Sequence, residues 1–548
     1  MSKVSQYLNE HILGEVIASR AVRERFATDA SVLTIAPEMI AYPRATNDIR
    51  KIARFAWQLA EKGHVLPLTA RGGGSDQTGA AIGKGIIIST PTHFNTIFEL
   101  DSKQKLLRLQ PGVTFKTVND ALSLHGLRIP SYPDSAAYST VGGAVANNAS
   151  GELSGRYGAT DQWVHQLEVV LANGDVLQTG RISRRELNAR KGQQSFEGEI
   201  YRKIDGLIMD NLGVIDAIAP DMRDNVGYSG IAKVKQKDGS FDLTPLFLGS
   251  QGTLGIVSEL IMKADYFSTT NHVAVAAFET YARARDAIEV LLRHEPAFLD
   301  IIDGSLFVDA DALGKKYRFY EDAVTAGGSV GAVLIFGFDE FNDHARAKKL
   351  KRSLRDLEPF GAVTVTASEP DAVENLLAIR NVVAFSLSPE ASEVSAPPIV
   401  DGAYVPHERF EEFSVAVVAL AQKYHVALPL SGRVIDNTWY ARPQLQLRKV
   451  SHKQLIFKLL DEYAAIVASC GGHLIGEAGE GRVKAPFALR QLDEAEQQLY
   501  QDIKAVFDPY GILNPGVKQI VPLKDLVPQL RSEYQPTLLA DHLPGADA

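Results

Sequence analysis

Apolar residues near the start of the chain follow first a helical and then an extended pattern. A helix is predicted from about residue 47 to 60, with Asn47 or Asp48 placed to cap it. Its apolar positions recur at helical spacing and are Ile49, Ile52, Ala53, Ala56, Leu59 and Ala60. A short apolar strand is predicted at 65–69. This strand–helix–strand order is typical of folds that mix helices and sheets.

Shorter elements follow, and the pattern changes near residue 264. Before that point, the sequence predicts strands at 86–88 and 105–109, a helix at 117–125 and a hairpin at 168–177. After it, long apolar strands alternate with helices: the strands are 272–278, 329–338 and 363–367, and the helices 281–294, 342–357 and 370–380. We therefore expect two α+β units with a boundary at 264–270.

Composition narrows the class of protein. The chain has 548 residues, of which 45% are hydrophobic and 22% charged, and its net charge is −9. A chain of this length holds about two to four domains, and its acidic balance argues against nucleic acid as a partner. The sequence has no run of 18 apolar residues, so no membrane-spanning helix is predicted. We expect a cytoplasmic protein, and peripheral membrane contact stays open.

The only cysteine is Cys470. It cannot form a disulfide within the chain, and no Cys-x-x-Cys pair is present for zinc or an iron–sulfur cluster. We expect Cys470 to be a small buried residue, which also fits a reducing compartment.

Three segments rich in glycine and small residues are spread over about 190 residues of the chain. The first, 71–79, directly follows a predicted strand, and its adjacent glycines allow backbone N–H groups to form a concave nest for an anion. The second, 133–151, combines small residues with hydroxyl groups. The third, 249–257, is a glycine-rich turn that leads into an apolar strand. Together they favour one large, dinucleotide-sized ligand.

These segments resemble the FAD-binding domain of the vanillyl-alcohol oxidase and para-cresol methylhydroxylase superfamily. Segment 71–79 is similar to the glycine loop that holds the pyrophosphate, 133–143 to a Pro-x-Ser…Thr-x-Gly-Gly stretch near the flavin, and 249–256 to a Gly-Ser-x-Gly-Thr-Leu-Gly-Ile stretch. Asp29-Ala30-Ser31 and the chain end, 507–518, resemble the branch of D-lactate dehydrogenases, glycolate oxidases and D-2-hydroxyglutarate dehydrogenases.

The resemblance implies an α+β fold in which a two-lobed FAD-binding domain of the para-cresol methylhydroxylase type is joined to an α+β cap domain with an antiparallel sheet. We therefore expect a helical lead-in at 1–35, the FAD-binding domain at 36–265, and the cap at 266–520, with its end returning to the FAD-binding domain. A loosely held tail is expected at 521–548. Some members attach FAD through a histidine near the first glycine loop, where this chain has Ala70-Arg71, so we expect non-covalent FAD.

The resemblance also implies which residues contact the cofactor. They are Arg71, Gly72, Gly73, Gly74, Ser75, Asp76, Thr78, Gly79, Pro133, Ser135, Thr140, Gly142, Gly143, Asn147, Ser150, Gly151, Gly158, Gly252, Ile256, Val257 and Asn514.

The catalytic motifs of the branch are altered. Its members accept the substrate's hydroxyl proton with a histidine of a Gly-Glu-His-Gly motif, and here Ala478 takes that place. Many bind a divalent metal through two further histidines, which are replaced by Arg433 and Tyr440. Alanine cannot ligate a metal, and arginine is permanently cationic. We expect no metal site of the family type.

Four residues stay as catalytic candidates. Arg380 resembles a family arginine that binds the substrate carboxylate, Glu477 is retained, and Arg433 adds positive charge. Tyr440 becomes a substitute acid or base if arginines lower its pKa. Two alternatives stay open for Arg442 and Arg482: they add positive charge to the site, or they form structural ion pairs. A catalytic role for His473 also stays open. Asp401 resembles one member of a family acidic pair, and Gly402 stands in the other place.

The leading interpretation is a hydride transfer from C2 of a small D-2-hydroxy acid or related anion to flavin N5, as the resemblance implies. The alternatives are a flavin oxidase with a different substrate, and a flavin-binding pseudoenzyme that has lost the family histidines. No cysteine-rich iron–sulfur segment is present. We therefore expect an external electron acceptor: a quinone, a cytochrome, an electron-transfer flavoprotein or oxygen.

Overall fold

The first sheet has four strands and opens the N-terminal half of the molecule. The computed structural model describes residues 3–218, 225–268, 271–312, 314–386 and 394–534. The strands are β1 (Glu15–Ile17), β2 (Met39–Tyr42), β3 (Leu68–Arg71) and β4 (Ile86–Ser89), in the order β1-β2-β4-β3. The β2–β4 and β3–β4 pairs are parallel. Helix α3 (Thr46–Ala60) packs its apolar face on this sheet, which confirms the helical spacing predicted there.

The start of this half corrects two expectations. Helix α3 has Ala45 at its N-cap, without a capping side chain. Asp48 instead accepts hydrogen bonds from the backbone N–H groups of Leu13 and Gly14, at 2.8 and 3.0 Å. The expected helical lead-in is wrong at β1, which adds an antiparallel edge to the first sheet through β2. Both differences arise because residues distant in sequence supply the hydrogen-bond partners.

The second sheet is antiparallel and has five strands, in the order β5-β6-β10-β8-β9. A separate pair, β7 with β11, lies at the end of this half. The strands are β5 (Ile97–Asp101), β6 (Leu106–Leu109), β7 (Leu127–Arg128), β8 (Val164–Val170), β9 (Val176–Gln178), β10 (Ile256–Lys263) and β11 (Asp265–Tyr266). The core under this sheet includes Ile503 and Phe507, so the end of the chain returns to the N-terminal half.

The third sheet has seven strands, all paired antiparallel, in the order β15-β12-β14-β13-β17-β18-β16. They are β12 (His272–Phe278), β13 (Phe298–Asp303), β14 (Ala332–Phe338), β15 (Val363–Ala367), β16 (Ala403–Tyr404), β17 (Leu430–Arg433) and β18 (Thr438–Ala441). Two hydrophobic clusters cover its faces, because alternate residues of β12, β13 and β14 point to opposite sides. The predicted bounds of β12 and β15 are confirmed.

Helices surround the three sheets. In the N-terminal half they are α1 (Lys3–His11), α2 (Arg20–Arg25), α3, α4 (Phe115–Ser123), α5 (Val141–Asn147), α6 (Ser154–Tyr157), α7 (Arg184–Lys191), α8 (Phe196–Asp210), α9 (Leu212–Ala217) and α10 (Thr244–Phe247). Beyond it they are α11 (Tyr281–Leu292), α12 (Ser305–Ala312), α13 (Arg318–Gly327), α14 (Asp343–Leu357), α15 (Pro370–Leu377), α16 (Asn381–Ser386), α17 (Phe410–Tyr424), α18 (Val450–Ser469), α19 (Ala485–Ala488), α20 (Glu494–Phe507) and α21 (Leu523–Leu526). Within the described residues, no helix is both long and apolar enough to span a membrane.

Residues 523–534, here called the C-terminal strap, join the two halves. Leu530 forms a bridge with Leu33 in the N-terminal half, and the hydroxyl of Tyr534 donates to the backbone oxygen of Ala30 at 2.8 Å. On the other side, Lys453 of α18 donates to the backbone oxygen of Leu530 at 3.2 Å. The expectation of a loosely held tail from residue 521 is wrong for the strap, and its part from 535 to 548 lies outside the described residues.

Candidate functional site

Three loops meet between the first two sheets: loop A (71–79), loop B (133–151) and loop C (249–257). Loop A starts where β3 ends, and its Gly74 and Gly79 have φ angles of +75° and +81°. A Cβ atom added to Gly72 would lie 2.1 Å from Oγ1 of Thr140 in loop B. The glycines therefore let the backbones of loops A and B approach each other closely.

Loop A presents a run of free backbone donors. Within the described part of the chain, the N–H groups of residues 73–77 donate no hydrogen bond to protein. Asp76 shapes the loop, since its carboxylate accepts the backbone N–H groups of Thr78 and Ala80 at 3.0 and 2.8 Å. Consecutive free N–H groups form a concavity that suits a phosphate, as the sequence predicted for this segment.

Loop B supplies a wall of small residues. Helix α5 begins after Thr140, whose hydroxyl oxygen accepts the N–H of Gly143 at 3.2 Å, and Gly142, Gly143 and Asn147 are half-buried. Ser139 links this wall to loop A, because its hydroxyl lies 2.9 Å from that of Ser75. The short side chains leave room for a flat ligand beside the backbone.

Loop C contacts both other loops through the side chain of Gln251. This residue has a φ angle of +53°, and its side-chain nitrogen donates to Thr78 of loop A at 3.1 Å and to Asn147 of loop B at 2.8 Å. Gly252 has a φ of +72° and faces Ala70, with 3.8 Å between an added Cβ atom and that of Ala70. The three loops therefore form one slot, and a free N–H run with small-residue walls fits a dinucleotide such as FAD.

The side chains of several residues predicted to contact the cofactor pack against the protein, and their contact with the cofactor stays a prediction. The Nη1 atom of Arg71 donates to the backbone oxygen of Thr28 at 2.8 Å, and the guanidinium stacks near Phe26. Asn514 is buried and donates to the backbone oxygens of Ala80 and Gln251, both at 2.8 Å. Ile256 packs in the core under the first sheet. Their side chains shape the slot from behind.

Gly151 and Gly158 also act through backbone shape. A Cβ atom on Gly151 would lie 1.8 Å from the backbone oxygen of Tyr132, and Gly158 has a φ angle of +77°. Ser135 bonds to the hydroxyl of Ser139, and Ser150 accepts a hydrogen bond from Arg433 at 3.0 Å. Loop B therefore contacts the third sheet directly.

A buried cluster of charged side chains lies on the third sheet where it meets loop B. Arg433 ends β17, Tyr440 lies on β18, and Glu477 lies on a turn that follows the chain segment paired with β16. The hydroxyl of Tyr440 donates to Oε2 of Glu477 at 2.6 Å, and Nη2 of Arg433 lies 3.3 Å from the same oxygen. The structure therefore brings three of the four catalytic candidates together.

The fourth candidate, Arg380, lies beside them in an ion-pair network. Its Nε donates to Oδ2 of Asp300 at 2.6 Å, and its Nη1 pairs with Glu152 of the N-terminal half. Asp300 is the β13 partner of Arg433 across the sheet. Among the described residues, Nη2 of Arg380 and Nη1 of Arg433 are buried and have no hydrogen-bond acceptor, although Nη1 of Arg433 lies 3.8 Å from the exposed carboxylate of Asp134. Free guanidinium donors suit a carboxylate ligand.

The electrostatics of the cluster correct one expectation. Burial raises the pKa of Tyr440 well above its ordinary value and outweighs the opposing effect of Arg433. The condition set for Tyr440 as a substitute acid or base, a pKa lowered by arginines, is therefore not met. Burial also raises the pKa of Glu477, although Arg433 opposes it, and raises that of Asp300 to about 6.

The remaining charged candidates are engaged in structural contacts. Arg442 pairs with the buried Asp401 at 2.5 Å. Arg482 donates to the backbone oxygens of Gly79 and Pro515, at 2.5 and 2.9 Å, and burial lowers its pKa to about 10. His473 stacks on Tyr404, with ring centroids 5.0 Å apart. Cys470 is buried, as expected.

Four functional neighbours were not singled out from the sequence. They are Gln251, Asn225, Asp300 and Glu152. Gln251 stands at the variable position of the Gly-Ser-x-Gly motif, so its place between the glycines is the only trace of it in the motif. The other three meet the site only through tertiary contacts. Among the described residues, no group of three or more His, Cys, Asp or Glu side chains is placed to hold a metal ion.

Comparison with known proteins identifies the family. Residues 37–180 match the FAD binding domain model, and residues 268–517 match the model for the C-terminal domain of FAD linked oxidases. The boundary predicted at 264–270 includes residue 268, where the second match begins, and stays a prediction.

Curated relatives have related names. D-2-hydroxyglutarate dehydrogenase of Pseudomonas putida is 26% identical over 519 residues, which are 93% of this chain and 51% of that protein. Glycolate oxidase subunit GlcD of Bacillus subtilis is 26% identical and covers 88% of each chain. D-lactate dehydrogenase of Archaeoglobus fulgidus is 26% identical, over 87% of this chain and 90% of its own. The chain spans about half the length of the first of these relatives.

Solved structures share the fold. p-Cresol methylhydroxylase with substrate bound has a TM-score of 0.68 at 12% identity, over 95% of this chain and 97% of its own. Alkyldihydroxyacetonephosphate synthase has a TM-score of 0.66 at 15% identity, over 94% of this chain and 86% of its own. The predicted fold class, a two-lobed FAD-binding domain with a cap that contains an antiparallel sheet, is confirmed.

Fold and slot together define a protein with the two-domain FAD-binding fold. More narrowly, the chain belongs to the FAD-linked oxidase superfamily, in the D-lactate and glycolate dehydrogenase branch.

Proposed function

We propose that this protein oxidises a small 2-hydroxy acid, or a related anion, with non-covalently bound FAD as the hydride acceptor. The names of the relatives support the reaction class. The observation that carries the proposal is a pair of buried guanidinium nitrogens, Nη2 of Arg380 and Nη1 of Arg433, that lack a hydrogen-bond acceptor among the described residues, with the carboxylate of Glu477 3.3 Å from Arg433. Such donors hold a substrate carboxylate, while a neighbouring carboxylate accepts its hydroxyl proton.

Each residue has a distinct task in this scheme. Arg380 and Arg433 orient the substrate carboxylate through Nη2 and Nη1. Glu477 accepts the hydroxyl proton, in place of the missing histidine at Ala478. Tyr440 donates a hydrogen bond to Glu477 and orients it. FAD supplies the acceptor for the hydride once bound in the slot.

The cofactor and acceptor follow from the same arrangement. Loop A begins at Arg71 after Ala70, and neither residue can form a covalent bond to flavin of the histidyl type. The reduced cofactor passes its electrons to an external acceptor, which we take to be a quinone, a cytochrome, an electron-transfer flavoprotein or oxygen.

Anaerobic reduction of the flavin tests the proposal. Protein loaded with FAD is mixed with a panel of D- and L-2-hydroxy acids, and absorbance near the flavin maximum is followed. Bleaching by at least one acid is expected, and Arg380→Lys should weaken the apparent affinity for that acid by about tenfold or more, because lysine lacks the guanidinium fork. If no acid bleaches the flavin, the replaced histidine at Ala478 favours a flavin-binding pseudoenzyme.

A further inference from the structure

The turn at 477–481, which carries Glu477, is held by hydrogen bonds on two sides. On the side of the third sheet, the backbone N–H groups of Gly476 and Glu477 both donate to the backbone oxygen of Gly402, at 2.8 and 3.0 Å. Gly402 has a φ angle of +74°, and a Cβ atom there would lie 3.0 Å from that of Glu477. The turn itself has left-handed backbone at Ala478 and Gly481, with φ angles of +57° and +54°. Such backbone persists only where its surroundings hold it.

On the side of the slot, Gln251 holds the turn. The N–H of Gly481 donates to Oε1 of Gln251 at 2.9 Å. A Cβ atom on Gly479 would lie 2.4 Å from Cδ of Gln251, so the turn packs directly on the carboxamide. The other two hydrogen-bonding groups of this carboxamide reach Thr78 and Asn147, one in loop A and one in loop B. One buried side chain therefore connects both loops to the turn and uses both its N–H groups and its oxygen.

A second chain of amides runs parallel to the first. Asn148 of loop B donates to Oδ1 of Asn225 at 2.8 Å, and Asn225 donates to the backbone oxygen of Ala478 at 3.1 Å. The backbone of Gln251 is also fixed, since its N–H donates to Ala146 and its oxygen accepts from Asn514, both at 2.8 Å. The hydrogen bond to Ala146 holds the backbone of Gln251 to loop B, so Gln251 moves with that loop.

We propose that Gln251 is a positioning residue that transmits the placement of loops A and B to the Glu477 turn, so that binding of FAD to the loops orders the catalytic carboxylate. The role of Glu477 rests on the proposed function, whereas the coupling between loops and turn does not. The coupling runs through the hydrogen bonds of one carboxamide, which contacts loops A and B through its nitrogen and the turn through its oxygen.

Hydrogen exchange of the turn tests this coupling without turnover. In the wild-type protein, FAD should slow exchange of the peptide that contains residues 477–482 by about tenfold, as expected from two or three stabilised hydrogen bonds. In Gln251→Met, which keeps the length of the side chain and removes its polar atoms, FAD should still bind while this slowing falls below about threefold. Gln236→Met is the matched control, because Gln236 is exposed and its side-chain nitrogen donates to the neighbouring backbone oxygen of Lys233, away from the loops and the turn.

A milder variant and a kinetic measurement complete the test. Thr78→Val removes one acceptor of Gln251 and should weaken the FAD-dependent slowing in part, even where the methionine variant does not fold. If a hydroxy acid is turned over, Gln251→Met should lower kcat by about tenfold or more with little change in KM, because placement of the proton acceptor changes and substrate binding does not. FAD-dependent slowing equal to wild type in both variants overturns the proposal. A wild-type protein that shows the slowing but oxidises no acid refutes the proposed function alone.

Discussion

At Glu477, burial and the neighbouring Asp134 raise the pKa of the carboxyl, and Arg433 lowers it. The side chain is one-fifth exposed, and its carboxylate lies 3.3 Å from Nη2 of Arg433. Tyr440 donates to it at 2.6 Å and keeps its own proton, since burial raises the pKa of that hydroxyl. Of the two residues, the carboxylate of Glu477 is therefore the one that we propose as the proton acceptor.

Replacing Glu477 separates these roles. Glu477→Gln removes the acceptor while keeping the shape, and kcat/KM for an accepted hydroxy acid should fall by about 10²–10⁴-fold. Tyr440→Phe is the matched comparison, since it removes only a hydrogen bond to the acceptor and should cost about tenfold or less. Steady-state kinetics on both FAD-loaded variants measures the difference. Equal losses in the two variants would contradict the assignment.

The pH dependence of the wild-type reaction follows from the same carboxyl. A proton acceptor works only when ionised, so kcat/KM should be full above the raised pKa of Glu477 and fall as the pH drops through it. The acid limb should lie above the ordinary glutamate value of about 4.3. A pH profile of kcat/KM measures it, and the limb of Glu477 should be absent from the residual activity of Glu477→Gln. A wild-type limb at or below the ordinary value would speak against Glu477.

On the scale of elements, the loops gain their function from the elements that frame them. Loop A extends from β3, loop B contains α5, and loop C leads into β10. The C-terminal strap has a comparable task, because it lies on residues 30–34 and on α18 at the same time. A short segment with few regular hydrogen bonds thus ties the two halves together.

The strap can be tested with two substitutions of similar size. Leu530 is 5% exposed and pairs with Leu33, so Leu530→Ala should lower the free energy of unfolding by about 2–4 kcal/mol. Val527 lies in the same strap but is 43% exposed, and Val527→Ala should cost less than about 1 kcal/mol. Chemical denaturation with FAD present at a fixed concentration measures both. Similar losses would show that the strap does not pack as described.

At the scale of the whole molecule, the two halves meet across charged contacts as well as apolar ones. Asp339, at the end of β14, is buried and pairs with Arg156 at 2.8 Å, and it accepts the hydroxyl of Tyr157 at 2.7 Å. Arg128 lies 3.5 Å from the same carboxylate. These three partners come from the N-terminal half, so Asp339 is a junction between the halves.

Removing this junction should loosen the halves. Asp339→Asn leaves the neighbouring arginines without their carboxylate, and breaking a buried pair in this way should lower the free energy of unfolding by about 3 kcal/mol. Differential scanning calorimetry should show a lower transition temperature that splits into two steps. Asp175→Asn is the control, because its pair with Arg54 is exposed and 3.6 Å long. An unchanged single transition in Asp339→Asn would contradict the junction.

The mode of FAD binding is a property of the assembled slot. Because no covalent link is expected, acid precipitation of the FAD-loaded protein should leave the yellow colour in the supernatant. Added FAD should raise the melting temperature of protein from which the cofactor was removed, since a ligand that binds only the folded state stabilises it. Absorbance of the pellet and supernatant, with a thermal scan, measures both. Colour that stays in the pellet would contradict non-covalent binding.

Several strands and helices followed from local patterns, because apolar spacing reports which face of an element is buried. The bounds of β12 and β15, and the helical face of α3, are examples. The glycine loops were also readable from sequence, since positive φ angles and close backbone approach require glycine at particular places. The family resemblance then indicated the cofactor. The replacements of the family histidines at Arg433, Tyr440 and Ala478 were evident from the sequence.

Only the tertiary structure decided which contacts these residues make. Whether Tyr440 has a raised or lowered pKa depends on the balance of burial against Arg433, which spacing in the chain does not contain. The same holds for Asp48, whose partners Leu13 and Gly14 lie some 35 residues earlier. It also holds for Gln251, which contacts Thr78 of loop A, 173 residues earlier, and Gly481 of the Glu477 turn, 230 residues later. Hydrogen bonds and desolvation act through space, so their effect is settled only when the chain has folded.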